Sequence, residues 1–402
     1  MAQTSDMSAL FKAVFGDGVV KAIPDFAKLL KTIPYNERER TGDHFEIPVT
    51  LELEQGVTYQ AYGDAAPSLV ASSGGNVSKA QVNGAVIILR SQMSYDQLYR
   101  ATKAGPQAFK DALSALYDNM VASMSRRVEI GFILGGAGLG VVSVSSGSTI
   151  TLTAESWAPG VWSGMVGATL NAYTATSGGT QHNGDFTITS VNMSTQTLTV
   201  SGTISSVVAN DLLYFKTAYG KECVGIDAIL SNTGTLFNIN AASHALWQGN
   251  SYAVNGAMSM SAALQGVALA VNGGLMEDAT LYISPKRWNA LNSDQAALRR
   301  YDTAGKQLDN GGEELVYYSS NGKIAVVPHS IVPEGRAYLI PNPAKRLMRV
   351  GSSDITFRRP GRPDDIFLEV PDSGSVELRL FADQQIFLPT PAQGTKYTGI
   401  TN

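Results

Sequence analysis

The chain has 402 residues, enough for two or three compact units or for one domain carrying insertions. A net charge of −4 gives no global basic signal for nucleic acid, and a charged content of 16% leaves much of the surface either polar-neutral or covered by other chains. One cysteine, Cys223, excludes an intrachain disulfide framework, and no run of about 18 apolar residues is present to cross a membrane as a helix.

The opening MAQTSDMSAL has no basic region followed by a long apolar run, so it does not read as a signal peptide. Residues 1–34 read as an arm, with a turn or two of helix at Ser8–Phe15 and at Asp25–Leu30 and too little apolar content for a core of its own. From His44 to Glu54 apolar and polar residues alternate. Phe45, Ile47, Val49, Leu51 and Leu53 fall on one face, with Glu46, Thr50, Glu52 and Glu54 on the other, as in a half-buried strand. Gln55-Gly56 marks a turn or bulge, and Val57, Tyr59 and Ala61 resume the alternation. An aperiodic Gly/Ser-rich span, Gly63–Gly75, precedes a second strand over Gln81–Arg90. Residues 35–92 thus form a long two-stranded excursion that needs a partner surface to be stable.

Residues 93–138 hold the strongest helical pattern. Ser94 and Asp96 suit a helix start, Pro106 suits a first turn, and Phe109, Leu113, Leu116, Met120, Met124 and Val128 form one apolar stripe. Arg126 and Arg127 are placed toward the C-terminal end, where cations are favoured. The helix runs into GFILGGAGLGVV, Gly131–Val142, which resembles a phosphate cradle. However, the glycine spacing does not match a dinucleotide fingerprint. The loop also leaves a helix and enters a strand, the reverse of what phosphate binding at a helix N-terminus requires. Gly135, Gly136, Gly138 and Gly140 therefore read as a hinge.

Residues 139–219 change character. No Lys or Arg occurs between Val141 and Phe215, the only acids there are Glu155, Asp185 and Asp211, and short Thr-rich strands recur between turns. This is a small all-β module, a barrel or a sandwich, inserted between other elements. Residues 220–350 read as α/β, with a helix over Ser261–Leu275, a strand over Leu281–Pro285 entering a second helix, and strands in KIAVVPHS and RAYLIPNP. Residues 351–402 are strand-rich.

No stretch carries a catalytic constellation. The histidines His44, His182, His244 and His329 share no ligand spacing, no G-x-S-x-G elbow occurs, and Cys223 has no nearby histidine in sequence and reads as a small buried residue. Glu52-x-Glu54 and Asp364-Asp365 read as solvated or interface acids rather than an acid–base pair. Lys345, Arg346, Arg349, Arg358, Arg359 and Arg362 form a basic cluster that could face DNA or, as the favoured reading, salt-bridge the acids of a neighbouring subunit's hairpin. No cofactor or metal is expected. An arm without a core, a hairpin without a partner and an uncharged module are all explained if the partner is another copy of the chain.

The order of elements resembles the major capsid protein of tailed bacteriophages, the Hong Kong 97-type (HK97-like) fold. The stretches that carry the likeness are EIPVTLELEQGVTYQAYGDAAPS as extended loop, GPQAFKDALSALYDNMVASMSRRVEIGFILGG as spine helix, GIDAILSNTGTLFNI, TLYISPKRWNALNSD and NGKIAVVPHSIVPEGRAYLI as axial domain, and DIFLEVPDSGSVELRLFADQQIF as returning peripheral strands. The resemblance implies an α+β fold and a non-enzymatic subunit of an icosahedral shell in the virion. Pentamers and hexamers would assemble in the host cytoplasm around double-stranded DNA, with the extended loop laid over a neighbour's spine helix. Partners implied are other copies, a separate scaffolding protein, a portal and decoration proteins, with no membrane. The β module departs from the plainest members, and no Lys–Asn crosslinking pair is assigned. An encapsulin-like compartment shell protein and a β-rich tail or decoration protein are the alternatives.

Overall fold

A computed structural model describes residues 27–37, 44–63, 68–72, 74–94, 106–293, 315–319, 322–357, 367–370 and 374–401. The first 26 residues of the arm, Asp96, Asp364-Asp365, Arg358, Arg359 and Arg362 lie outside them, as do the side chains of Phe109 and Leu113.

The described part of the arm is a short helix α1 (Lys28–Thr32) and a strand β1 (Tyr35–Glu37). The alternating segment forms β2 (Phe45–Thr50), which pairs antiparallel with β3 (Val77–Val82), Phe45 opposite Val82 and Thr50 opposite Val77. The expected single second strand over 81–90 is in fact two. At Asn83-Gly84 the chain turns a corner, and β4 (Ala85–Ser94) joins a different sheet. Glycine is required there because a methyl group on Gly84 would collide with the carboxylate of Asp383. The spine helix α2 spans Pro106–Leu134, about 43 Å at 1.5 Å per residue, and buries Leu116, Met120, Met124 and Val128.

The module after the spine helix contains β5 (Val142–Ser146), β6 (Thr149–Leu152), a single helical turn α3 (Pro159–Trp162), β7 (Thr169–Tyr173), β8 (Gln181–Asn192), β9 (Thr197–Ser201) and β10 (Leu212–Phe215). Their order is β10-β7-β8-β9-β6-β5, all antiparallel. Backbone bonds from Leu139 to Leu213 and from Val142 to Asp211, both 2.8 Å, join the two outer strands, so the sheet closes into a six-stranded barrel. Ile150, Leu170, Phe186, Ile188, Leu198 and Val200 fill it. Closure removes the edges that an open Thr-rich sheet would expose.

The α/β part opens with α4 (Ile226–Leu230) and a two-stranded pair, β11 (Thr235–Leu236) with β12 (Ile239–Asn240). It continues through β13 (Asn250–Gly256), α5 (Met260–Asn272), β14 (Ala279–Ile283), α6 (Pro285–Asn292), β15 (Leu315–Ser319), β16 (Gly322–Pro328), β17 (Ala337–Pro341) and α7 (Pro343–Arg346). Serine side chains cap both longer helices, Ser259 accepting from the Ala262 N–H and Ser284 from that of Arg287. The remaining strands are β18 (Met348–Thr356), β19 (Phe367–Glu369), β20 (Ser375–Phe387) and β21 (Thr395–Ile400).

Two further sheets organise these strands. In the peripheral sheet, β20 pairs with β4 on one side and with β18 and β19 on the other, β1 adds in parallel to β18, and the spine helix packs across the face. The axial sheet runs β13-β21-β17-β14-β16-β15 and has its own apolar cluster. Residues 351–402 therefore do not all return to the peripheral sheet. Strand β21 crosses into the axial one, where the buried Tyr397 hydroxyl donates to the Ala263 carbonyl at 2.7 Å. This overall arrangement is α+β, as expected from the order of elements.

Candidate interface

The alternating face of β2 does not wait for a neighbour. Phe45, Ile47, Val49 and Leu51 are 8% exposed or less and belong to the chain's own main core. Assigning them to an intersubunit contact is corrected. The hairpin folds back on its own subunit, where the Gln81 N–H donates to the Phe237 carbonyl at 2.9 Å and Glu52 lies 3.3 Å from His244. Regular pairing stops at Thr50. Beyond it Leu53, Val57, Tyr59, Tyr62, Leu69 and Val70 stand in solvent, Leu53 at 77% and Tyr59 at 93% exposure. Of the residues expected to be intersubunit, Glu52, Leu53 and Glu54 remain outward. The other exposed apolar residues, from Val57 to Val70, sit in or beside the Gly/Ser-rich span. Large apolar residues in and beside an aperiodic span were the available signal.

The roots of this loop are held firmly. Leu51 and Asn76 close its base with a 2.9 Å backbone bond, and Lys79 bonds Glu46 at 2.7 Å, which with the nearby His44 keeps the Glu46 carboxyl below its ordinary range. At the other root, Asp383 packs under Gly84 and accepts from the Ser352 hydroxyl. The result is an apolar loop on a rigid base. Residues 51–76 contain Glu52, Glu54 and Asp64 and no Lys or Arg.

The arm is latched by two buried charges. The Glu129 carboxylate, fully buried on the spine helix, accepts from the N–H groups of Leu29 and Leu30 at 2.6 and 2.7 Å and pairs with His329 Nε2 at 2.8 Å. His329 Nδ1 accepts from the Ile331 N–H at 3.3 Å, which places the ring proton on Nε2, donating to Glu129. Arg349 donates from Nε to the Ile33 carbonyl at 3.0 Å and from a terminal nitrogen to Gln384 and Asp354 at 3.2 and 3.3 Å. Arg349 is therefore no free member of a basic surface, and Arg346 is paired with Glu277. These two leave the proposed basic cluster, and among the described residues only Lys345 of that set stays exposed without an ion pair.

Gly135, Gly136, Gly138 and Gly140 lie between the spine helix and the barrel as a packed corner. Gly136 and Gly138 have φ of +77° and +83°, which favour glycine, and a methyl group on Gly135 would strike the Cys223 carbonyl. Glu222 accepts from the Gly136 N–H at 2.9 Å, and burial lifts its carboxyl to about 7 against the lowering effect of that bond. The barrel is also tied to the α/β part, since Gly160 donates to the Ser330 carbonyl at 2.8 Å and Glu334 and Gly335 donate to the Trp157 and Glu155 carbonyls at 2.9 Å. Arg126 does not stabilise the end of its own helix, which runs two turns further. It donates instead to the Gly160 carbonyl at 2.7 Å and to that of Ser163, closing the α3 turn. Arg127 lies over the Phe215 ring, 3.3 Å from its centre.

Cys223 is buried, and burial pushes its thiol well above the ordinary range. Each histidine stands beside an acidic side chain, and among the described residues no group of three His, Cys, Asp or Glu is placed to hold a metal.

No family model and no curated protein matches the sequence. Solved structures do match over nearly the whole chain. A chain of the cyanophage A-1(L) capsid asymmetric unit superposes with a TM-score of 0.56 at 13% identity, covering 97% of each chain. A chain of the capsid of a native GTA particle superposes with a TM-score of 0.51 at 10% identity, covering 97% of this chain and 95% of that one, and the empty GTA particle gives the same values. At these identities the likeness is one of fold, from end to end.

Proposed function

We propose that the chain is the major capsid (head) protein of a tailed phage, a structural subunit that assembles into the icosahedral shell around double-stranded DNA. The observation that carries this reading is the end-to-end match of its fold to capsid subunits at full coverage of both chains. An exposed acidic and apolar loop on a rigid base supports it, because such a surface is poorly suited to a free monomer. Covering a few hundred Å2 of apolar area at each contact contributes several kcal/mol at about 25 cal/mol per Å2, before ordering costs. Repeated in a closed ring, that suffices to drive pentamers and hexamers.

In this reading the chain resides in the virion, its main partner is itself, and its role is not catalytic. A scaffolding protein, a portal and decoration proteins are further partners, and contact with DNA is non-specific. Residues 139–219 are an insertion relative to the plainest shells, and the glycine corner joins them to the spine. Static light scattering and negative-stain microscopy of the purified chain test the proposal. Closed shells or discrete five- and six-membered rings are expected. A chain that stays monomeric up to high concentration overturns it.

A further inference from the structure

Strand β21 is the last member of the axial sheet in sequence, yet it is an inner strand. It runs parallel to β13 on one side and antiparallel to β17 on the other. Among the described residues β13 pairs with no other strand, so the ladder reaches it only through β21. Helix α5 follows β13 in the chain and packs on β13 and β21. The axial part is therefore two halves, β13 with α5 and the group β17-β14-β16-β15, with β21 between them. Successive side chains of β21 face opposite ways and hold different elements. The buried Thr395 donates from its hydroxyl to the Gly266 carbonyl of α5 at 2.8 Å. The Tyr397 ring fills a notch at Gly266, where a methyl group would collide with it. Lys396 donates to Asp227 and Ser231 at 2.8 and 2.9 Å, and Asp227 lies on α4, which packs against the spine helix.

We propose that β21 is a closing strap: the two halves form first, and β21 then inserts between them in a separate step that also bolts the axial part to the spine helix through Lys396 and Asp227. Two observations favour this order. The contacts of β21 reach 129 residues back to Gly266 and 169 back to Asp227, whereas β15 and β16 form a local hairpin. Distant contacts carry the larger cost in chain entropy and form later. Residues 395–400 are also synthesised after every element they bind. The inference goes beyond the assembly reading and does not rest on it. It concerns how a single subunit acquires a finished axial sheet.

Pulse-labelled hydrogen exchange during refolding of the full chain, at a concentration too low for association, tests the order. The amides of β13 and β21 are expected to gain protection together, about tenfold more slowly than those of β14 and β16. Simultaneous protection of all four strands overturns the inference, as does protection of β21 before β16. Native-state exchange on the wild-type chain needs no refolding and gives a second reading. An opening shared by β13 and β21 is expected to leave β14 and β16 protected. Tyr397→Phe keeps the ring and removes the bond to the Ala263 carbonyl, and it should speed exchange about tenfold in β13 and β21 alone. If β21 opens only together with β14 and β16, it is no separable strap and the inference falls. Shells formed by the same chain would then still support the assembly reading.

Discussion

At the residue scale, buried ionisable groups decide how the subunit responds to pH. Glu222 is held at the corner between spine helix and barrel with its carboxyl lifted to about 7 by burial. Its folded-state value is above the unfolded one of 4.5, so the folded chain binds the proton more tightly. The burial cost is absent below about pH 4.5 and grows as pH rises through 7. Glu222→Gln keeps an acceptor for the Gly136 N–H and removes the charge. It is expected to raise stability at pH 8.5 by up to about 3 kcal/mol and to have little effect at pH 5, read from denaturant or thermal melts at both values. An equal effect at both pH values would contradict the assignment. Glu129 holds the arm through its hydrogen bonds. Replacing it with Ala orphans two backbone donors and His329, a loss of about 3 kcal/mol or more. The Leu29 and Leu30 amides should then exchange with solvent much faster while the barrel amides keep their protection.

At the element scale, the hairpin divides between strand and loop at Leu51. Leu51→Asp puts a charge into the core and should cost about 4 kcal/mol, measurable as a fall in the denaturation midpoint. Leu53→Asp, two residues on, should change stability by under about 0.5 kcal/mol and yet impair assembly. The boundary was hard to see because the pattern of β2 continues past the point where pairing ends. Alternation records which side a residue would face, not whether a partner strand exists. The spine helix was legible from Pro106 to Leu134 because proline, the apolar stripe and the glycines mark both ends. Strands β13 and β21 were missed, since NSYAVNG and TKYTGI have little apolar content and become strands only by long-range pairing, β13 with β21 and β21 also with β17. The Arg126 role was misread for a related reason. Nothing local distinguishes a cation near its own helix end from one reaching across to the α3 turn 34 residues away. Gly138 offers a test of the corner. Gly138→Ala forces an alanine to φ near +83° and toward the Leu212 side chain, and a loss of about 1–2 kcal/mol is expected in a melt.

At the scale of the whole molecule, the order of elements was more informative than any motif. An arm, a looped hairpin, a long helix and two strand groups in that sequence are enough to indicate the fold. No residue identity needs to be shared, which is consistent with matches at 13% and 10% identity and no family model. The candidate interface was only half legible. Burial within the chain places Phe45 to Leu51 in the subunit's own core and leaves Leu53 and the loop beyond it exposed. Of the basic cluster, Arg349 holds the arm and Arg346 pairs with an acid of the axial part, while Arg358, Arg359 and Arg362 lie outside the described residues. Both corrections come from long-range packing, which periodicity does not encode.

The central claim is that this chain is built to assemble with itself. Light scattering with negative-stain microscopy on the purified wild-type chain, with Leu53→Asp beside it, tests that claim most directly. Closed shells or five- and six-membered rings from the wild type, and soluble folded monomers from the variant, are the predicted result. A wild-type chain that remains a monodisperse monomer at every concentration would contradict it.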